Sequence, residues 1–330
     1  MENILVIRLK AIGDVIFTLP AVSALRGEFP NARITFLTSR ENAPLLRGFR
    51  EVNETIALDR AALRSGNPVK ISREFLSLWR RLRAGKFSLV VDFQGFGETA
   101  WLSRITGAPR RWGSVYGAGR RWAYTRGLTR NEKTHPADWN LDLLAGCGVN
   151  RGRASNRFAL PPDALAAARQ FFSANSLDLE KPTLVIQPFT SSPQKNWPLE
   201  NFLAVARHWR AAAVQVIFVG GPADHSRLAP ARAEAFRVAT ELPLLVSAGL
   251  VQLSALLLGG DSGLGHLAVA LDRRVVMLMR HAKPGACVPF QHPDWAMLPS
   301  RPNQIQEIGV PAVLAETSRV LNPLIRNVSC

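Results

Sequence analysis

The chain reads as an α/β protein of two units, each a parallel sheet wrapped by helices. Three observations predict this. Short runs rich in Val, Ile and Leu alternate with stretches of helical spacing; the alternation restarts after Pro161-Pro162; and polar or glycine-rich loops close several apolar runs. A strand that is apolar throughout is covered on both faces, and strand–helix–strand crossovers make such strands parallel. Ligands of these sheets bind beyond the carboxyl ends of the strands. A length of 330 residues suits two domains of ordinary size.

In the first half, Asn3 to Arg8 is an apolar, β-branched strand, followed by the loop Leu9-Lys10-Ala11-Ile12-Gly13-Asp14. Val15 to Phe29 has helical spacing, with Pro20 marking either a kink or a later helix start. Strands are expected at Ala32 to Thr38, Glu54 to Leu58 and Phe87 to Phe93, with a short helix at Asn42 to Arg47. Ile71 to Ala84 is an amphipathic helix with a basic face, and Ala137 to Gly146 a second helix. Arg110 to Arg130 is basic and aromatic and reads as irregular: an acceptor loop, a membrane-facing patch or a mobile surface loop. The polar stretch Arg151 to Pro162 reads as the linker.

In the second half, helices are expected at Asp163 to Ala174, Leu199 to Arg210 and Ala229 to Val238, and strands at Pro182 to Gln187, Val214 to Val219 and Arg274 to Met279. The uncharged run Leu242 to Gly260 is nearly long enough to span a membrane. Pro243, Ser247, Gly249, Gln252 and Ser254 break it, so it reads as a strand at Leu244 to Ser247, a turn and a buried helix at Leu253 to Leu258. Pro311 to Arg326 is a closing helix.

Hydrophobic residues make up 47% and charged residues 20%, a balance that excludes a disordered chain. Cys147, Cys287 and Cys330 have no paired spacing, which implies neither a zinc site nor a disulfide framework. Met1 to Arg8 lacks the basic start and long apolar core of a signal peptide, so a cytoplasmic location is expected. The net charge of +16 draws polyanions: nucleic acid, acidic lipid headgroups or phosphorylated glycans. The arginines cluster between Arg73 and Arg130, so the first half is expected to meet the anionic partner; a solvated basic surface is the plainer alternative.

The densest chemistry lies in Gly259-Gly260-Asp261-Ser262-Gly263-Leu264-Gly265-His266. Helix-start amides carry the positive end of the helix dipole, and glycines let a ligand approach the backbone, so this stretch suits a phosphate. Two other loops share the same sheet edge. One carries Thr190, Ser191 and Lys195; the other is Gly220-Gly221-Pro222-Ala223-Asp224. Hydroxyls with a lysine suit a diphosphate, and a carboxylate after a strand-end turn suits a ribose hydroxyl pair. Neither a P-loop nor a dinucleotide fingerprint is present, so a nucleotide diphosphate bound without those devices is expected.

Arg8-Leu9-Lys10-Ala11-Ile12-Gly13-Asp14-Val15 with Thr18-Leu19-Pro20, Lys195-Asn196-Trp197-Pro198, and Asp261 to Ala268 together resemble glycosyltransferase family 9, the ADP-heptose:lipopolysaccharide heptosyltransferases. The resemblance implies a GT-B architecture, two Rossmann-like domains with parallel sheets facing across a cleft. Residues 1–160 would bind acceptor, 161–310 the nucleotide sugar, and the helix at 311–330 would pack back toward the first domain. It also implies inverting, metal-independent transfer of heptose from ADP-heptose to a lipopolysaccharide core or related anionic glycan. No cofactor is expected beyond the donor itself.

By the same resemblance Asp14 is the general base, and Lys195, Thr190 and Ser191 bind the diphosphate. Asp224 meets the ribose, Ser262, Gly263, Leu264 and His266 form the phosphate and sugar loop, and Asp261 holds the donor sugar. Lys10, Gly13, Gln94 and Arg120 fall on the acceptor side. Two positions depart from the family pattern: Glu98 stands where a basic residue is common, and Gly265 where a small polar one is. The expected enzyme is a monomer seated transiently on the anionic inner face of the inner membrane, with no specific nucleic-acid partner. A nucleotide-sugar epimerase or hydrolase of the same fold is the alternative, and a non-enzymatic polyanion-binding protein the more distant one. Asp14 as a helix cap, Lys195 as a surface lysine and His266 as a core histidine are the bland readings of those residues.

Overall fold

A computed structural model describes residues 2–328; Met1 and Cys330 lie outside them. The chain divides into two compact units, Met1–Ala159 and Leu160–Cys330. The first runs β1 (Asn3–Ile7), α1 (Ile12–Ile16), α2 (Leu19–Glu28), β2 (Arg33–Ser39), β3 (Glu54–Leu58), α3 (Arg60–Leu63), α4 (Pro68–Ala84), β4 (Leu89–Asp92), α5 (Gly97–Ile105), β5 (Arg110–Val115), β6 (Arg126–Thr129) and α6 (Pro136–Ala145). The second runs α7 (Pro162–Ala174), β7 (Thr183–Gln187), α8 (Leu199–Ala211), β8 (Gln215–Val219), α9 (Ala229–Ala233), β9 (Arg237–Ala239), α10 (Leu244–Gln252), β10 (Leu256–Gly260), α11 (Gly263–Ala270), β11 (Val275–Leu278), β12 (Ala296–Met297) and α12 (Val310–Val328).

Each unit holds a six-stranded sheet, and every pair in both is parallel. The orders are β3-β2-β1-β4-β5-β6 and β12-β11-β10-β7-β8-β9. In each, the chain lays three strands outward, returns to the middle and lays three the other way. The order therefore reverses between β1 and β4 and between β7 and β10. Loops leaving two such strands diverge to opposite sides and open a crevice where ligands bind in open α/β sheets.

The central strands are buried as their composition requires; Leu5, Ile7, Leu184 and Ile186 are all fully covered. Trp209 of α8 is buried, and its indole N–H donates to Thr317 Oγ of α12 at 3.0 Å. Val313 and Leu321 of α12 join the core of the second unit.

Four expectations change. Arg110 to Arg130 is not irregular, since it contributes β5 and β6. Its buried arginine, Arg111, donates to the carbonyls of Ala108 and Ala123, a capped charge that hydropathy cannot see. In the uncharged run, strand and helix are exchanged: α10 comes first and β10 second. A run apolar on every side has no periodicity to separate the two. α10 is apolar all round because it is covered all round; a Cβ built on its Gly249 would stand 2.6 Å from Ala168 Cβ of α7. The helix at Ala229 stops at Ala233, and 237–239 is strand β9. Finally, Asp14 lies inside α1 rather than in a loop, while Pro20, as the second residue of a separate α2, marks the later helix start that its position allowed.

Burial pushes the Cys147 thiol up to about 11. Trp209→Ala is expected to cost about 3–5 kcal/mol and Trp209→Phe about 1–2 kcal/mol. Urea unfolding followed by circular dichroism checks both. Equal losses would show that the α8–α12 contact depends on the indole N–H rather than on filled volume.

Candidate active site

In the second unit, β10 pairs directly with β7, with Gly259 opposite Gln187. The loops that follow are brought together by that register. Lys195, from the loop after β7, places its ammonium 2.6 Å from Asp261 Oδ2, just past β10. The other oxygen of Asp261 is 3.0 Å from His266 Nε2 on α11. Ser262 caps α11 by accepting the Gly265 N–H at 3.1 Å, and its own hydroxyl donates to Gln187 Oε1 at 2.6 Å. The amides of Gly263 and Leu264 stay outside the helix ladder, as first-turn amides do. Gly260 keeps the two loops close: a Cβ there would meet Thr190 Cγ2 at 2.8 Å and the Lys195 carbonyl at 3.1 Å.

Asp261 has 15% of its side chain exposed. Burial opposes its ionisation, but His266, by hydrogen bond and charge, and then Lys195 outweigh burial and hold the carboxyl down to about 2. Beside the pair lies a cavity of about 230 Å³ lined by Lys195, Asp261, Leu278, Met279, Arg280, His281, Ala286 and Cys287. Burial, with Arg280 and Lys283 nearby, pushes the His281 imidazole below its usual value. The site thus combines a lysine, a buried carboxylate, helix-start amides and a basic wall.

In the first unit, Asp14 follows β1. Its Oδ2 accepts the Ala11 N–H at 3.0 Å and lies 2.6 Å from Arg8 Nη2. Arg8 is itself fixed, donating to the carbonyls of Phe93 at 2.8 Å and Lys10 at 3.0 Å. Gln94, past β4, accepts the Leu9 and Lys10 amides at 2.9 and 3.3 Å. Asp92 is fully buried and holds that second loop, accepting from the Tyr124 hydroxyl at 2.7 Å and the Gln94 and Gly95 amides. Burial pushes its carboxyl up. Gly95 has φ +68°, and a Cβ there would overlap the Ser114 carbonyl, so only glycine fits. A cavity of about 460 Å³ lies beside Lys10, with Glu41, Asn42, Arg60 and Arg64 in its wall.

The family model for glycosyltransferase family 9 (heptosyltransferase) matches residues 75–307. The chain belongs to glycosyltransferase family 9. It is 23% identical over 322 residues to the lipopolysaccharide core heptosyltransferase OpsX of Haemophilus influenzae, covering 94% of this chain and 88% of that one. A solved family 9 glycosyltransferase from Veillonella parvula superposes with a TM-score of 0.85 at 21% identity, over 99% of this chain and 97% of that one. The E. coli heptosyltransferase WaaC with ADP gives 0.78 at 19% identity, over 96% and 99%. The architecture is GT-B, as the resemblance implied.

Within this family 9 chain, the structure gathers Lys195, Asp261, Ser262, Gly263, Leu264 and His266 at one sheet edge. Thr190 lies there too, with its amide donating to Asn196 Oδ1 at 2.8 Å and its hydroxyl within reach of the same atom. Ser191 is exposed on the same loop. Asp224 lies outside the cavity lining; it accepts the Gly221 amide and pairs with Arg227, both at 3.0 Å. On the first unit, Gly13 is in α1 and Lys10 lines the larger cavity. Arg120 donates to the Gly95 carbonyl at 3.4 Å, and Gln94 is a buried strut.

Gln187, Arg280 and His281 join the site from the structure alone, and Arg8, known from sequence only as the start of a motif, gains its role there. Arg280 and His281 were findable, because they follow β11, the strand beside β10. Gln187 and Arg8 carry no such signal, since their role is to hold a neighbouring loop.

A depressed folded-state value means the Asp261 pair stabilises above its ordinary value of 3.8 and loses this as pH falls toward about 2. Asp261→Asn is therefore expected to cost about 1–2 kcal/mol at pH 6, reduced by the partial exposure of Lys195. The gap to wild type should close between pH 4 and pH 2 in urea titrations. A pH-independent gap would assign the loss to packing.

Proposed function

We propose that this family 9 chain is an inverting heptosyltransferase, moving heptose from ADP-heptose to a hydroxyl of a lipopolysaccharide core or related anionic glycan. The observation that carries this reading is the Lys195–Asp261–His266 group at the start of α11. It presents a cation and free helix amides where the order of a parallel sheet reverses. The E. coli relative solved with ADP shares the fold, and the Haemophilus influenzae relative is named for lipopolysaccharide core transfer.

In the proposed reaction the acceptor oxygen attacks the anomeric carbon as the bond from that carbon to the diphosphate breaks, and ADP leaves with the electron pair. Asp14 takes the acceptor proton. Arg8 and the Ala11 amide both hold Oδ2, which leaves Oδ1 for that proton. Lys195, with the amides of Gly263 and Leu264, receives the charge growing on the diphosphate, and no metal is required for it. Thr190 and Ser191 contribute hydroxyls to the same group, and Asp261 holds the sugar. Asp224 meets the ribose. On the acceptor side Lys10, Gly13, Gln94 and Arg120 shape the seat, and Arg60 and Arg64 beside Lys10 suit an anionic glycan. The enzyme would work as a cytoplasmic monomer, visiting the anionic inner face of the inner membrane where a lipid-linked acceptor lies. Among the described residues no helix is long and apolar enough to cross a membrane.

Asp14→Asn is expected to lower kcat by about 10²- to 10⁴-fold while leaving the ADP-induced rise in melting temperature intact. A full transfer rate in this variant would remove Asp14 as the base. In a thermal-shift panel, ADP should stabilise the wild type more than UDP, GDP or CDP, and Lys195→Ala should abolish most of that rise. A UDP preference would keep the architecture and overturn the ADP-heptose donor. Transfer should continue in excess EDTA; its loss would replace the metal-free route.

A further inference from the structure

Large apolar side chains exposed on the first unit concentrate in one stretch. Val69, Phe75, Leu76 and Trp79 of α4 are 74%, 51%, 43% and 43% exposed; Trp101 of α5 and Trp122, on the 3-10 turn before β6, are 59% and 48% exposed. A single exposed Leu needs no explanation, but a grouped set of this size does.

The set is grouped in space as well as in sequence. α4 turns Leu78 and Leu82 inward. At 100° per residue, Phe75, Trp79, Leu76 and Val69 then follow one another around the outer flank. Arg83, on the same flank, lies against Gly107 at the end of α5; a Cβ there would be 2.4 Å from its Nη1. The flank therefore adjoins α5, where Trp101 packs edge-on against Trp122 at 4.8 Å.

The charges on this flank are all positive: Arg73, Arg80 and Arg83 alternate with the apolar residues. The one carboxylate of α4, Glu74, is turned away and accepts the Asp59 amide at 3.0 Å. A nucleic acid would use the arginines and could stack on the tryptophans. It has no use for Val69 and Leu76. Aliphatic side chains, tryptophans and arginines on one helix face match the boundary between headgroups and acyl chains.

We propose that the outer flank of α4, with Trp101 and Trp122, docks this unit on an anionic phospholipid surface. The arginines meet headgroup phosphates, and the apolar side chains enter the acyl boundary. This deepens the membrane partner of the proposed function and rests on that reading only for its biological purpose.

The test uses the full chain with vesicles of phosphatidylcholine, alone or mixed with phosphatidylglycerol. The protein should co-sediment with the mixed vesicles, blue-shift its tryptophan emission on binding, and release with rising salt. Leu76→Ser combined with Trp79→Ser should weaken binding at least about tenfold, with the ADP-induced melting shift unchanged as proof of folding. Arg73→Glu combined with Arg80→Glu should do the same without altering an apolar residue. Wild-type affinity in the first double variant would overturn insertion. Equal binding to neutral vesicles would overturn the anionic preference, and displacement of vesicles by RNA would give the patch to nucleic acid. Vesicle binding without any ADP response would sink the donor assignment and leave this proposal standing.

Discussion

β10 pairs in parallel with β7 although two strands and three helices separate them along the chain. That pairing brings Asp261 to Lys195 and Ser262 to Gln187. It also sets the requirement for glycine at 260, because any side chain there would push the Thr190–Lys195 loop outward. The first unit solves the same problem with different groups. β4 returns beside β1, Gln94 clamps the amides of Leu9 and Lys10, and Arg8 bridges the Phe93 carbonyl to Asp14. In both units polar side chains, buried Gln94 in the first and partly buried Gln187 and Asp261 in the second, tie together the two loops that flank the strand-order reversal.

Two buried carboxylates show how environment separates structure from chemistry. Asp92 is met by a phenol, the Thr99 hydroxyl and two amides rather than by a cation, and burial dominates. It holds a loop in shape. Asp261 is also largely buried, yet it lies between His266 and Lys195 and is driven the other way. A carboxylate held this firmly keeps the Lys195 ammonium aimed at the start of α11. The lysine is then already positioned when a diphosphate arrives, which limits the ordering entropy that binding must overcome.

The chain's positive charge is likewise resolved by position. Part of it is internal: Arg8 and Arg111 are buried and satisfied by backbone carbonyls, so they serve the fold rather than a partner. Part lines the cavities beside Lys10 and Lys195. A further part, on α4, alternates with exposed apolar side chains, an arrangement that net charge alone would never distinguish from a solvated surface.

Much of the fold was legible because parallel-sheet strands such as Asn3–Ile7 and Thr183–Gln187 are short, apolar and closed by polar loops. The glycine-rich stretch before α11 was legible for a local reason: capping, close approach and free amides are properties of consecutive residues. Where burial is uniform or polar groups are satisfied at long range, the signal fails. That is why α10 and β10 were exchanged and β5 went unseen behind Arg111. The sequence by itself determined two α/β units, the strand-end loops and the residue types able to meet a diphosphate. Only the tertiary structure decided that β7 and β10 are neighbours, that Asp261 is shared by Lys195 and His266, and that Arg8 holds Asp14. Strand order and side-chain partnership join residues far apart in the chain, and local propensity carries no information about them.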